Sequence, residues 1–314
     1  MISVALCTYN GERHIEQQIR SILVQTTPVD EIVVCDDGSI DQTIPIVEKI
    51  KTSTNVNIRI YVNESSLGVC GNFEKAINLC DGDLVFLSDQ DDIWYSDKVE
   101  KICDYFKRNQ EKSVVFTNAD LVDVDGNNLG ITAFDCYGLD EVGIKRFDAE
   151  PLLVYFCGNR ALGCSIAFRS STKSWILPLV NDDPIYLHDD QIAIKAIERH
   201  QLGHIDERLF AYRQHSNQER GLLAWAKIHP KTDVIHINEF DVLPHFTKYL
   251  SDDCNIKRIE FFHKRFSLPH NATAFKGKVK SITLIMLYIP EYLKYCKLNF
   301  YKYMYLDTKR VLHK

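Results

Sequence analysis

Within the first hundred residues, short apolar runs alternate with amphipathic segments, and each run stops at a polar turn. Ile2 to Cys7 precedes Ile15, Ile19, Ile22 and Leu23 at helical spacing, and Glu31 to Cys35 precedes Ile44, Ile46, Val47 and Ile50. Ile58 to Val62 reads as a third strand, Cys70 to Leu79 as a helix with Phe73, Ala76 and Ile77 inward, and Leu84 to Leu87 as a fourth strand. Strand-length runs separated by segments of helical period predict βαβ units and a mostly parallel sheet, since parallel neighbours need a crossover. Ligands of open parallel sheets gather outside the carboxyl ends of the strands. Thr8-Tyr9-Asn10, Asp36-Asp37-Gly38-Ser39 and the segment from Ser88 to Trp94 all fall on that edge.

The last of these turns carries the strongest chemical signal. Leu84-Val85-Phe86-Leu87 runs directly into Ser88-Asp89-Gln90-Asp91-Asp92-Ile93-Trp94, which crowds three carboxylates at the end of a buried strand. Unpaired carboxylates repel one another and are costly to desolvate, so a bound cation is the simplest explanation. Hard oxygen ligands suit Mg2+ or Mn2+, with open positions left for water and phosphate. The competing reading is that Asp91 or Asp92 only caps the helix expected near Ser96-Asp97.

Bulk properties narrow the classes. At 314 residues the chain can hold one large α/β domain with an appendage, or two modest domains. A formal net charge of -6 argues against a chain built to hold nucleic acid. The start, Met1 to Leu6, has no basic stretch or cleavage site and reads as a strand, so a cytoplasmic protein is expected. The ten cysteines include no CxxC pair, which disfavours a zinc or redox motif. Cys7 and Cys35 each end an apolar run and are expected side by side on neighbouring strands as reduced core thiols.

Further along, Ser113 to Thr117 and Leu121 to Val124 are expected as strands with a hairpin at Asp125-Gly126, and Ser165 to Phe168 as another strand. A helix is expected from Asp190 to Arg199, followed by the apolar Leu209 to Tyr212. The recognisable motifs stop near residue 225, so residues 1–225 are taken as a catalytic domain and 226–314 as a mainly helical extension. From Lys276 onward basic residues are interleaved with aromatic and aliphatic ones, interrupted by Pro290 and Lys294. That run is too short and broken to span a bilayer, but it suits either packing on the domain or peripheral contact with the inner face of the cytoplasmic membrane.

Taken in order, Thr8-Tyr9-Asn10-Gly11, Asp36-Asp37-Gly38-Ser39, Asn63 to Asn72 and Ser88 to Trp94 resemble the amino-terminal half of family 2 glycosyltransferases with the GT-A fold. The DQDDIW form, Leu187-His188-Asp189 and Tyr212-Arg213-Gln214-His215-Ser216-Asn217 are similar to the rhamnosyltransferase-like branch of bacterial surface-polysaccharide synthesis. The resemblance implies a Rossmann-like α/β fold, a dTDP- or UDP-sugar donor, a glycan or lipid-linked acceptor, and Mn2+ or Mg2+. It further implies that Thr8, Tyr9, Asn10, Asp36, Asp37, Asn72, Asp89 and Gln90 form the donor-nucleotide site. Asp91 is the implied metal ligand of the DXD motif, joined by His215. Arg213, Gly163, Cys164, Trp94 and Asp190 are candidates for diphosphate or pocket contacts. Asp92 is an extra carboxylate without an assigned role.

Chemistry supports this reading. A nucleoside diphosphate leaves readily only once its charge is neutralised, a task suited to a divalent cation. Direct displacement at the anomeric carbon also needs a base on the opposite face, and inverts the configuration. Asp189 and Asp190 are the two candidates, each equally able to serve as an N-cap, and the resemblance favours Asp189. The donor is read as dTDP-rhamnose, with a UDP-hexose or UDP-N-acetylhexosamine as the alternative. A sugar-1-phosphate nucleotidylyltransferase would want a Gly-rich phosphate loop, where this chain has only Asn10-Gly11-Glu12-Arg13. A non-catalytic binding subunit would have no use for the carboxylates retained here.

Overall fold

The computed structural model describes residues 1–156, 161–183, 186–215 and 246–266. The chain divides into two compact units, Met1–Ile235 and His236–Lys314. The sequence-based boundary near 225, Cys157 to Arg160, Ser216-Asn217 and the basic aromatic tail from Lys276 lie outside the described residues. In the second unit a helix spans Asp253–Phe266. Among the described residues no helix is long and apolar enough to cross a membrane.

The first unit opens as expected, with β1 (Ile2–Thr8), α1 (Ile15–Leu23), β2 (Glu31–Asp36), α2 (Thr43–Lys51), β3 (Asn57–Val62), α3 (Gly68–Leu79) and β4 (Leu84–Ser88). The strands β3, β2, β1 and β4 lie side by side in that order, all parallel. Every residue of β2 is buried, the pattern of a strand covered on both faces. Ile15, Ile19 and Ile22 of α1, and Phe73, Ala76 and Ile77 of α3, turn inward at the spacing the sequence displays. Cys7 and Cys35 are register partners on β1 and β2. Burial pushes both thiols up, Cys35 to about 11, so they behave as small core residues.

Beyond β4 the sheet continues with β5 (Ile93–Trp94), β6 (Val114–Val122), β7 (Asn128–Thr132), β8 (Ala167–Arg169) and β9 (Leu202–Arg213). Their spatial order is not their chain order: from β4 the sheet runs β8, β6, β9, β5, with β7 paired to β6. Both β4–β8 and β8–β6 pair antiparallel, β6–β9 parallel, and β9–β5 antiparallel. The helix α4 (Lys98–Arg108) follows β5. In chain order come α5 (Ala133–Tyr137), α6 (Glu141–Ala149), α7 (Pro151–Phe156), α8 (Lys173–Ile176) and the buried α9 (His188–Glu198). Phe116 on β6 anchors a cluster with Phe134 and Phe147 beneath this half.

Two expectations need correction. The strands read separately as Ser113 to Thr117 and Leu121 to Val124 form one continuous nine-residue strand, β6, whose hairpin partner is β7. Asn118 and Asp120 interrupt the apolar run, yet both are buried and partnered. Asn118 Oδ1 accepts from the Ala119 N–H at 2.9 Å and the Phe134 N–H at 3.0 Å, where the register against β9 shifts. The Asp120 carboxylate accepts from the Tyr95 hydroxyl at 2.7 Å and from Arg208 at 3.1 Å. The second correction concerns α9, which starts at His188 and not at Asp190, so both aspartates lie in its first turn. Ser165 belongs to a 3-10 turn, Gly163–Ser165, that leads into β8.

Replacing Asn118 with Ala leaves two buried amides without their acceptor and is expected to lower stability by about 1–3 kcal/mol. Urea unfolding checks this: the midpoint should fall with an unchanged slope.

Candidate active site

The carboxyl edge of the parallel strands is built by three loops that hydrogen-bond one another. At the end of β1 the Thr8 hydroxyl donates to Asp36 Oδ2 at 2.7 Å across its register partner. Asp36 is fully buried, and its other contacts come from the Gly38 and Ser39 N–H groups and the Ser39 hydroxyl. Asp37 accepts from Asn63 Nδ2, the Ser66 hydroxyl and the N–H groups of Leu67 and Gly68. Burial raises the Asp37 pKa, but these hydrogen bonds outweigh it and the net shift is downward. Asn72 bridges Asn63 and the Cys35 carbonyl. The two adjacent aspartates and Asn72 therefore set the shape of this edge, with their polar atoms engaged by protein groups.

Gln90 joins the acidic segment to the first loop. Its Oε1 accepts from the Tyr9 N–H at 2.8 Å and its Nε2 donates to the Tyr9 carbonyl at 3.0 Å. Gly11 is required by this clamp, because a Cβ there would stand 2.1 Å from Gln90 Oε1. The exposed Tyr9 side chain and Asn10, held at φ 48° with its Oδ1 accepting from the Ile40 N–H, complete the loop.

The three acidic residues sit between β4 and β5, and each has a different environment. Neither Asp91 nor Asp92 caps the following helix, whose N-cap position is Asp97. Asp91 Oδ2 lies 2.8 Å from His215 Nε2, and the His215 ring stacks on His14 at 5.7 Å. Asp92 is fully buried beside the Cys164 thiol, with Oδ1 3.4 Å from the Arg213 N–H and no backbone or side-chain N–H or O–H donor to Oδ2 among the described residues. Donor atoms of Asp89, Asp92 and Cys164 all lie within 4.8 Å of one another. Burial first, then the charges of Asp91 and Asp189, push the Asp89 pKa up to about 7, and burial first, then the charges of Asp91 and Asp89, hold Asp92 well above the usual carboxylate range. Beneath this cluster the buried Lys98 donates to the Cys164 carbonyl at 2.8 Å, and burial lowers its pKa to about 8. Asp91 with His215 offers one carboxylate and one imidazole, and Asp89 with Asp92 offers carboxylate oxygens beside the Cys164 thiol, so oxygen donors of the kind a hard divalent cation takes are present on this edge.

Arg213 and Trp94, candidates for diphosphate or pocket contacts, are both engaged within the protein. Arg213 is 2% exposed and spends its guanidinium on the chain itself: Nε donates to the Asp91 carbonyl at 2.8 Å, NH1 to the Val124 carbonyl at 2.9 Å and NH2 to Gln17 Oε1 at 2.9 Å. It holds the acidic loop where a diphosphate contact was expected. Trp94 is buried against Phe86 with Lys98 Nζ 4.1 Å above its ring, so it packs and offers no open face to a sugar.

Asp189 and Asp190 are distinguished by their surroundings. Asp190 is 1% exposed and receives the Tyr155 hydroxyl, whereas Asp189 is 9% exposed and its charge reaches Asp89 across the edge. Gln191 fastens the segment before α9, its Nε2 donating to the carbonyls of Val180 and Tyr186. Gly163 faces His188, and Cys164 faces the acidic cluster. Lys98, Tyr155 and His14 escaped the sequence reading, and His188 entered it only within the Leu187-His188-Asp189 motif, without a role of its own. Of the first three only Lys98 left a signal, a lysine on the same apolar stripe as Ile102 and Phe106.

Comparison with known proteins gives the family and the fold. The profile of glycosyl transferase family 2 matches residues 3–165, over half of the chain, so the chain belongs to that family and is a glycosyltransferase acting on sugar nucleotides. Among curated proteins it is 30% identical over 226 residues to the dTDP-rhamnosyl transferase RfbG of Shigella flexneri, covering 69% of this chain and 73% of that one. It is 29% identical over 191 residues to the Escherichia coli glucosyltransferase WfgD, named UDP-Glc:alpha-D-GlcNAc-diphosphoundecaprenol beta-1,3-glucosyltransferase, covering 60% and 68%. Residues 1–349 of TarS from S. aureus, solved with UDP-GlcNAc, share the fold with a TM-score of 0.58 at 16% identity, covering 99% of this chain and 90% of that one.

Two outcomes follow from the site. Arg213→Lys keeps the charge but loses the fork, and is expected to cost on the order of 2 kcal/mol in urea unfolding. Asp89, raised from 3.8 to about 7 in the folded chain, holds a proton that the unfolded chain releases. Its contribution to stability is full below pH 3.8 and is lost as pH rises through about 7. Thermal melts of the metal-free protein should show this decline, and Asp89→Asn should flatten it.

Proposed function

We propose that this glycosyltransferase inverts configuration, depends on a divalent cation, and moves rhamnose from dTDP-rhamnose onto a growing, lipid-linked or polymeric cell-surface glycan. The observation that carries the mechanism is the cluster of Asp89, Asp92 and Cys164 beside the Asp91–His215 pair, with Asp189 among the charges that raise the Asp89 pKa. A base and a diphosphate-binding end facing each other are what in-line displacement of a nucleoside diphosphate requires.

In this reading Asp91 and His215 hold Mn2+ or Mg2+, with Asp89 toward the ribose or a metal-bound water. When bound, the cation neutralises charge on the diphosphate leaving group. Asp189 accepts the acceptor hydroxyl's proton as that oxygen attacks the anomeric carbon, and the sugar inverts as the diphosphate departs. Asp190 is the poorer candidate for the base because Tyr155 already occupies its carboxylate. Lys98 and Arg213 act through the protein, one as a buried counter-charge and the other as the latch on the acidic loop. Thr8, Tyr9, Asn10, Asp36, Asp37, Asn72 and Gln90 shape the nucleotide subsite, with the exposed Tyr9 and the loop backbone as its contact surface.

Rhamnose as the sugar is supported by the similarity to RfbG, which spans most of both chains. A UDP-hexose donor is the second reading, favoured by the similarity to WfgD. Thermal shift with dTDP- and UDP-sugars, with and without Mn2+, separates them, since a ligand bound only by the folded chain raises its melting point. A metal-dependent shift with dTDP-rhamnose supports the first reading, and one confined to a UDP-sugar overturns it. In the same assay Asp91→Ala should lose the metal-dependent shift. Asp189→Asn should keep it while turnover falls by about 10²–10⁴-fold. Normal turnover in Asp189→Asn removes that residue as the base.

A further inference from the structure

His188 is the first residue of α9 and the neighbour of Asp189. The side chain is 4% exposed, and its ring lies nearly flat on Phe73, with centroids 3.8 Å apart and planes inclined by 15°. Gly163 leaves it room, for a Cβ there would stand 2.4 Å from Nε2. Neither Nδ1 nor Nε2 has a hydrogen-bond partner among the described residues. Buried polar atoms are nearly always matched, and leaving two of them unmatched on one ring costs stability. A phenylalanine would fill the same slot and stack on Phe73 without that cost, so packing alone does not account for an imidazole here.

Burial lowers the pKa of His188 and keeps the ring neutral, with one N–H donor and one bare nitrogen acceptor. A sugar hydroxyl both donates and accepts, and so matches either tautomer. Phosphate oxygens would use only the N–H. The location narrows the choice further. Gly163, against the ring, precedes Cys164, whose thiol lies in the acidic cluster, and Asp189 follows the ring directly. His188 therefore borders the acidic cluster through Gly163 and Cys164 and adjoins Asp189 in the chain, and a sugar held between a diphosphate and a base at those residues would pass close to its ring.

We propose that His188 is a substrate-contacting residue that hydrogen-bonds a hydroxyl of the transferred sugar, and so helps to select the donor. This rests on the glycosyl-transfer reading above. The test uses the full chain and its His188→Phe and His188→Gln variants. Calorimetry with Mn2+ compares the bare nucleoside diphosphate with whichever dTDP- or UDP-sugar the wild type hydrolyses. His188→Phe is expected to melt at or above the wild-type temperature and to bind the bare diphosphate normally. Its affinity for the intact sugar nucleotide, and its rate of donor hydrolysis, should fall by about tenfold. His188→Gln, which keeps a donor and an acceptor, should recover part of that loss, a rescue that a packing role would not produce. If His188→Phe folds poorly, the comparison of His188→Gln with His188→Leu at matched melting temperature decides in its place.

Wild-type binding and hydrolysis of the sugar nucleotide by His188→Phe overturn the proposal alone. Failure of the wild type to bind any nucleoside diphosphate with Mn2+ overturns the metal-dependent donor site proposed above, and the proposal with it.

Discussion

The end of β9 meets the acidic loop through one buried side chain, Arg213, and the geometry of the site depends on that meeting. Its guanidinium collects the carbonyls of Asp91 and Val124 and the amide oxygen of Gln17, and its own N–H faces Asp92. Segments far apart in sequence are thus fixed around one planar cation, a role that the rigid fork of arginine suits and the point charge of lysine does not. The short strand β5 pairs with the end of β9 beside it, and together they deliver His215 to Asp91.

Electrostatics then separates three neighbouring carboxylates by environment. Asp91 has an imidazole partner, Asp89 faces Asp189, and Asp92 is enclosed with Cys164 above the buried Lys98. Burial and mutual repulsion raise the pKa values of Asp89 and Asp92. Nearby positive charge favours the ionised form of such carboxylates. The same crowding keeps the edge polar where the rest of the sheet is apolar.

Much of the first half was legible because its signals are local. Helical spacing in Ile15, Ile19 and Ile22, the uniformly apolar β2, and the polar turns at Thr8, Asp36 and Ser88 each report their structure within a few residues. Misreadings came where a polar residue was satisfied from a distance. Asn118 and Asp120 looked like a break in a strand, and only the Phe134 amide and the Tyr95 hydroxyl explain why they are buried within one. Trp94 and Arg213 enter as candidates for pocket or diphosphate contact through the family resemblance. Partners remote in sequence occupy them instead.

By itself the sequence determined the alternation of strands and helices, the edge on which chemistry gathers, and the family, because periodicity and turn composition are properties of short segments. Tertiary structure decided how those polar groups are engaged. Asp36, Asp37, Asn72 and Arg213 have their hydrogen-bonding atoms engaged within the fold, while Asp189 is turned toward Asp89 and His188 keeps two unmatched nitrogens beside it. The physical reason is that a polar atom's availability depends on what else can reach it. In a sheet ordered β4, β8, β6, β9, β5, the groups within reach come from strands that no local pattern brings together.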